Sequence, residues 1–120
     1  MATKTKTENI IDPDSIRAAH IAATWEVAAN GDDGAPFTSG GFRYLIFGVT
    51  GTFGAGGTII LEGSNNGGTT YTTCLDKAGA AVSLTAAGQR IIDTPYEIVR
   101  PRVTAGDGTT ALTPFLAGYR

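Results

Sequence analysis

The feature that most constrains this chain is the regular spacing of glycine-rich turn signals between short β-forming segments. Turns are predicted at Asn30–Pro36, Gly51–Gly57, Ser64–Gly68, Lys77–Ala80 and Ala105–Gly108, with a further break at Ala86–Gln89. The segments between them recur about every ten residues, a pattern typical of sandwiches and small barrels. Long helical periodicity is missing from the sequence. We therefore predict an all-β chain, folded as an antiparallel β-sandwich of jelly-roll type.

About seven strands are expected from this pattern. They are His20–Ala28, Phe42–Thr50, Thr58–Gly63, Thr69–Asp76, Ala81–Thr85, Tyr96–Thr104 and Thr109–Ala117. In the first of them Ile21, Ala23, Trp25 and Val27 share one parity, so they should face the core, with Trp25 as its anchor. The Ala-rich stretch from residue 14 to residue 23 could instead form a short helix.

Two of these strands carry a further signal. Phe42–Thr50 is apolar on both parities, which fits a strand covered on both faces, or one with its second face on a partner. Tyr96–Thr104 contains Pro101, which cannot donate to a sheet ladder. That strand should therefore lie at an edge or hold a bulge.

The first fourteen residues are polar and include Pro13, which disfavours helix in the residue before it. We predict that residues 1–14 form an extended N-terminal arm outside the core and that residues 15–120 form the sandwich domain. Considered without the rest of the chain, this segment is better interpreted as a frayed terminus with no role.

Composition excludes several classes of protein. A chain of 120 residues suits one domain, and a single cysteine cannot build a disulfide scaffold or a zinc site of clustered Cys and His. A net charge of −2 offers no basic footprint for nucleic acid. The longest apolar run, Tyr44–Phe47, is too short for a signal peptide or a membrane span. We expect no nucleic-acid or membrane partner, and synthesis in the cytoplasm of the cell that makes the protein.

Catalytic and metal-binding patterns are weak. Glu26, Glu62, Asp76 and Glu97 are expected to be solvated carboxylates on strands, and no catalytic pair is indicated. Cys74 is expected to be a small buried residue. We predict no enzyme activity, no cofactor and no metal.

Two ligand-binding alternatives stay open. Asp32, Asp33 and Asp107 could bind Ca²⁺, although aspartates in turns commonly bond their own backbone. The aromatic residues could form a sugar-stacking platform, as in a carbohydrate-binding module, or could fill the core and cap the sheets. These aromatic residues are Trp25, Tyr44, Tyr71, Tyr96 and Tyr119.

Three stretches together resemble a known group of proteins. They are Gly51–Gly68 (GTFGAGGTIILEGSNNGG), Ala86–Gly88 (AAG) and Val99–Thr113 (VRPRVTAGDGTTALT). In this order they are similar to small structural proteins of tailed bacteriophages, over about residues 42–116. The hairpin of that group usually reads Ser-Asn-Asp-Gly, whereas this chain has Asn66 in place of the aspartate, which weakens any metal role there.

The resemblance implies a virion protein without catalytic activity. Our first expectation is a capsid decoration or cement protein that binds the major capsid protein and neighbouring copies of itself on the capsid surface. Its candidate interface residues are Thr3, Lys4, Lys6, Ile10 and Ile11 in the arm, with Arg100 and Arg102 on one strand face. That arginine pair could equally be a solvated stripe. The alternative within the virion is a tail, neck or baseplate component.

Overall fold

The computed structural model describes residues 2–10, 20–93 and 96–119 and confirms the all-β prediction. These residues form twelve strands and contain no helix. The strands are β1 (Thr3–Lys4), β2 (Lys6–Ile10), β3 (His20–Trp25), β4 (Asp33–Gly34), β5 (Phe37–Thr38), β6 (Tyr44–Thr52), β7 (Thr58–Ser64), β8 (Thr72–Thr73), β9 (Ser83–Leu84), β10 (Gly88–Ile92), β11 (Ile98–Ala105) and β12 (Ala111–Tyr119). The described residues include no helix long and apolar enough to cross a membrane.

Two sheets pack face to face as a sandwich. The larger sheet has seven strands in the order β1-β4-β11-β7-β8, with β5 also paired to β11 and β9 also paired to β7. The smaller sheet has five strands in the order β10-β6-β12-β3-β2. Every pairing of named strands is antiparallel except that of β1 with β4, which is parallel.

The core lies between the two sheets, and strict alternation supplies it. In β6, Leu45, Phe47 and Val49 point inward and are at most 1% exposed. The prediction that Trp25 anchors the core is confirmed, since this residue is 2% exposed. Its indole N–H donates to the carbonyl of Ala35 at 2.9 Å.

The N-terminal segment differs from the predicted arm outside the core. Residues 3–4 pair with β4 at the edge of the larger sheet, and residues 6–10 pair with β3 at the edge of the smaller one. Between them, Thr5 accepts a hydrogen bond from the amide of Glu26 at 3.0 Å. The segment is extended as predicted, but it closes one side of the sandwich. The predicted boundary between residues 14 and 15 lies outside the described residues.

All seven predicted strands overlap observed ones, with three local corrections. Strand β3 ends at Trp25, so Val27 is 54% exposed and Ala28, at 4%, occupies the inward position instead. The predicted break at Ala86–Gln89 contains the start of β10, and the predicted turn at Asn30–Pro36 contains β4. Each of these segments pairs with a strand far away in the chain.

Of the two options predicted for the strand with Pro101, an edge position or a bulge, the structure shows the bulge. Strand β11 shifts register between Val103 and Ala105, and it lies between β4 and β7 rather than at an edge. The amide of Val103 donates to Asp32 on the β4 side, so the nitrogen of Pro101, two residues earlier, faces that side as well. There it falls between the pairing of Val99 with β5 and that of Arg102 with β4, where no ladder donor is needed.

Candidate interaction surfaces

A cluster of paired charges occupies the outer face of the larger sheet. Arg100 and Glu62 are cross-strand neighbours, and the Arg100 Nε lies 2.7 Å from Glu62 Oε1. Arg102 Nε lies 3.5 Å from the other oxygen of Glu62. A third contact joins Arg100 Nη1 to Asp33 Oδ2 at 3.6 Å. The two predicted arginines therefore act first as internal partners of two acidic side chains.

Glu62 contradicts the expectation of a solvated carboxylate, since it is only 4% exposed. The guanidinium carbon of Arg100 lies 3.8 Å from the centroid of the Tyr71 ring, so Arg100 is held between that ring and Glu62. Burial under this cover requires a charge partner, which the arginines supply. Tyr71, which the sequence left between core and platform, is part of this cover.

A second carboxylate fixes the N-terminal strand. Asp32 accepts hydrogen bonds from the amides of Ala29 and Ala2, both at 2.9 Å, and lies 3.8 Å from Lys4 Nζ. The amide of Ala29 lowers the pKa of Asp32 most, and Ala2 and Lys4 lower it further. Asp32 therefore bonds the backbone of its own turn, as one of the two interpretations predicted, and also clamps β1.

The predicted interface residues fall into separate places. Register aligns Thr3, Asp33 and Arg102 across three strands of the larger sheet. Lys6 lies 3.2 Å from Glu8 on the edge strand β2. Ile10 pairs with Ile21 in the ladder, and Ile11 lies outside the described residues. The structure thus brings Thr3, Lys4, Arg100 and Arg102 to one side of the sandwich and places Lys6 and Ile10 in the other sheet.

The outer face of the smaller sheet is a surface that the sequence indicated only through β6. We call it the neutral face and define it by the outward positions of its five strands, none of which is Asp, Glu, Lys or Arg. These positions are Thr7, Asn9, His20, Ala22, Thr24, Tyr44, Ile46, Gly48, Thr50, Thr52, Gln89, Ile91, Ala111, Thr113, Phe115, Ala117 and Tyr119.

Close packing keeps the middle of the neutral face flat. Phe115 lies opposite Gly48, and a Cβ on Gly48 would come within 2.3 Å of the ring of Phe115. The absence of that Cβ lets the ring lie down on the sheet. Beside it, Ile46 pairs across the strands with Ile91, whose side chain is 51% exposed.

Aromatic rings line one end of the neutral face. Tyr44, Tyr119 and His20 are aligned across three strands, with Tyr44 49% exposed and Tyr119 36% exposed. The rings of His20 and Tyr119 stack with centroids 4.2 Å apart and planes 17° apart. Each of these two rings therefore has one face covered by the other.

The remaining candidate groups are occupied by structural contacts. Burial raises the pKa of Cys74 to about 12, which fits a small buried residue. The Asp107 carboxylate accepts hydrogen bonds from Thr109 and from the amide of Ala55, and these lower its pKa to about 2. Among the described residues no group of three or more His, Cys, Asp or Glu is arranged to hold a metal ion.

The described surface also has an open hollow of about 250 Å³ beside the hairpin that follows β7. Ser64, Asn66, Thr72 and Tyr96 are among its lining residues. Asn66 is engaged there, because its side-chain oxygen accepts from the amide of Thr70 and its nitrogen donates to the Thr70 hydroxyl. Ser64 and Asn66 therefore serve the turn.

No protein-family model and no curated protein matches the chain. The fold is a two-sheet β-sandwich, and a solved structure shares it: the SPBc2 prophage-derived protein YomS, with a TM-score of 0.65 over 88% of this chain and 99% of that one, at 17% identity. A cysteine peptidase from Thevetia peruviana latex, Peruvianin-I, matches 95% of this chain and 61% of its own length. Its TM-score of 0.47, at 15% identity, is too low to carry an argument.

Proposed function

We propose that this chain is a structural protein of a bacteriophage virion, and specifically a capsid decoration protein that works through broad protein contacts. The observation that carries the proposal is the neutral face, an exposed sheet surface with no charged position. Charged residues are depleted from the centres of protein interfaces, whereas they are common on surfaces that face solvent. We infer that this face is buried in the assembled particle.

Two further observations support a phage role without catalysis. The fold is shared with a protein described as prophage-derived. The carboxylates considered for catalysis have structural partners: Glu62 with two arginines, and Glu97 with the amide of Gly67 at 2.9 Å. Glu62 and Glu97 thus hold strands and turns together, which supports a structural role for them.

On this proposal Arg102 is a candidate for contact with the major capsid protein. Its side chain is 44% exposed, at the rim of the charged cluster, beside Thr3. Arginine is enriched at interface hot spots because its flat guanidinium can bond and stack at once. The N-terminal strands would then contribute by shaping this side of the sandwich.

A carbohydrate-binding module is less well supported. Such a platform needs aromatic faces turned to solvent, but Trp25 is 2% exposed and Tyr71 is stacked on Arg100. Tyr44 and Tyr119 are exposed, yet Tyr119 stacks on His20.

The test is to quantify the chain in purified particles of the phage that encodes it and to locate it in an image reconstruction. A decoration protein should be present in hundreds of copies on the head. About 3–12 copies at the neck or baseplate would instead support the tail alternative, since closed rings have few subunits. Absence from the particle would refute a virion role altogether.

A further inference from the structure

We infer that the neutral face pairs with the same face of a second copy, forming a two-fold dimer in which the two smaller sheets stack. This inference rests on the proposed function only in assigning the neutral face to protein contact. It adds the identity of the partner that covers this face, which is a second copy of the chain.

The first support is charge complementarity. In a two-fold interface each residue near the axis meets its own counterpart, so a charged position there would face a like charge. The chain as a whole is 17% charged, yet the outward positions of the smaller sheet include no Asp, Glu, Lys or Arg. The nearby Lys77, whose Nζ lies 5.9 Å from the centroid of the Tyr44 ring, reaches one end of the face only. The rest of the face can approach an identical face without repulsion. A partner with a charged surface would find no opposite charge on it.

The second support is area. The five strands of the smaller sheet contain 5, 6, 9, 5 and 9 residues. At about 3.4 Å per residue and about 4.8 Å between strands, they outline roughly 550 Å² before side-chain relief is counted. A stable protein pair buries about 800 Å² of accessible surface on each partner. The accessible surface of a corrugated face exceeds its projection, so a pair of this kind has to cover nearly the whole neutral face.

The third support is the shape and chemistry of the face. Ile46, Ile91 and Ala117 form one cross-strand row, and Phe115 lies flat on Gly48 in the row next to it. Two such sheets can stack about 10 Å apart, as sheets do inside a sandwich. Tyr44 and Tyr119 at one end offer apolar rings with hydroxyls that reach the rim. Such side chains are enriched at interfaces.

The test compares one substitution at three exposed threonines. Thr24→Glu and Thr50→Glu each place a carboxylate on the neutral face, whereas Thr104→Glu places the same carboxylate on β11 of the larger sheet. Sedimentation equilibrium of the full-length chain should give twice the 12.3-kDa mass for the unmodified protein and for Thr104→Glu. The two neutral-face variants should dissociate at least about 100-fold more readily, since each buries a carboxylate without a charge partner between the two sheets. Circular dichroism would check that all variants keep their β-structure.

The outcomes separate this inference from the proposed function. An unmodified chain that stays monomeric, forms a trimer, or dimerises equally well with Thr24→Glu and Thr50→Glu would overturn the pairing. Binding to phage heads by such a monomer would leave the decoration role intact. Conversely, a dimer sensitive to both neutral-face substitutions that is absent from purified particles would support the pairing and refute the decoration role.

Discussion

At the scale of single residues, Glu62 shows how a charged side chain came to be buried. It lies on an outward position of β7, which the alternating sequence pattern assigns to solvent. Its partners Arg100 and Arg102 come 38 and 40 residues later, and only the pairing of β11 with β7 places them beside it. A local sequence pattern cannot show a pairing between residues so far apart in the chain. The expectation that Glu62 is a solvated carboxylate was therefore wrong.

We predict that Glu62→Gln lowers the free energy of unfolding by about 2 kcal/mol, because it leaves two arginines without their shared carboxylate. Urea denaturation would measure the change. The matched control is Glu8→Gln, which removes the surface pair with Lys6 at 3.2 Å and should cost less than about 0.5 kcal/mol. Equal losses for the two variants would show that burial of Glu62 adds nothing to its pairing.

Gly34 is a second residue whose importance comes from its neighbours. A Cβ at this position would lie 2.6 Å from both Pro101 and Trp25, inside the core. We predict that Gly34→Ala destabilises the fold by about 1–3 kcal/mol through overpacking. Gly88→Ala is the control, since nothing lies within 4 Å of its added Cβ, and it should be neutral or slightly stabilising. Thermal unfolding would rank the two, and a stable Gly34→Ala would contradict the close approach.

At the scale of elements, the strands that could be predicted are those that bury a face. The seven predicted segments all overlap observed strands, because alternation of apolar and polar residues is a local signal. Strands β1, β2, β4, β5 and β10 lacked it: β1, β2 and β10 are edge strands without a regular apolar alternation, and β4 and β5 have two residues each. They exist because distant strands offer hydrogen bonds. The apolar outward residues of β6 indicated a second face that is either covered or in contact with a partner. The strand order shows that this face extends over five strands, and its contact with a partner stays a prediction.

The clamp on β1 leads to a prediction about that strand. Asp32→Asn replaces an acceptor oxygen with an NH₂ group, which would face the amide of Ala29 or Ala2. We expect β1 to detach more often, so that trypsin cleaves after Lys4 or Lys6 about 10-fold faster. Mass spectrometry of the digest would time the cut.

Asp93→Asn is the control for this experiment, because Asp93 forms an exposed ion pair with Lys77 at 3.8 Å, away from β1. It should leave the cleavage rate unchanged. Equally slow cleavage of Asp32→Asn would show that the ladder with β4, rather than Asp32, holds the strand.

At the scale of the whole molecule, three carboxylates link stability to pH. The Thr5 hydroxyl lowers the pKa of Glu26 most, and the amide of Ala29 lowers that of Asp32 most. Hydrogen bonds from Thr109 bring the pKa of Asp107 to about 2, from an ordinary 3.8. Each group binds protons less readily in the folded state than in the unfolded one. Stability from these groups is therefore complete above the ordinary pKa values and is lost as the pH falls through the lowered ones.

We predict that the urea concentration at the unfolding midpoint decreases as the pH is lowered from about 5 to about 2. In Asp107→Asn this decrease should be smaller between about pH 4 and pH 2. Asp93→Asn again serves as the control, since it also removes one exposed carboxylate, and the change for Asp107→Asn is judged against it. A pH profile for Asp107→Asn that matches the unmodified one would mean that the Asp107 turn does not contribute to acid sensitivity.

The place of β12 has a consequence for how the chain is made. It is the central strand of the smaller sheet, between β6 and β3, although it is the last strand in the sequence. On a ribosome, a nascent chain that ends before residue 111 has nothing to join β10 and β6 to β3 and β2. Their unpaired edges stay open until synthesis has passed that point, so assembly of this sheet must follow the synthesis of β12. During that interval the chain is most prone to aggregate.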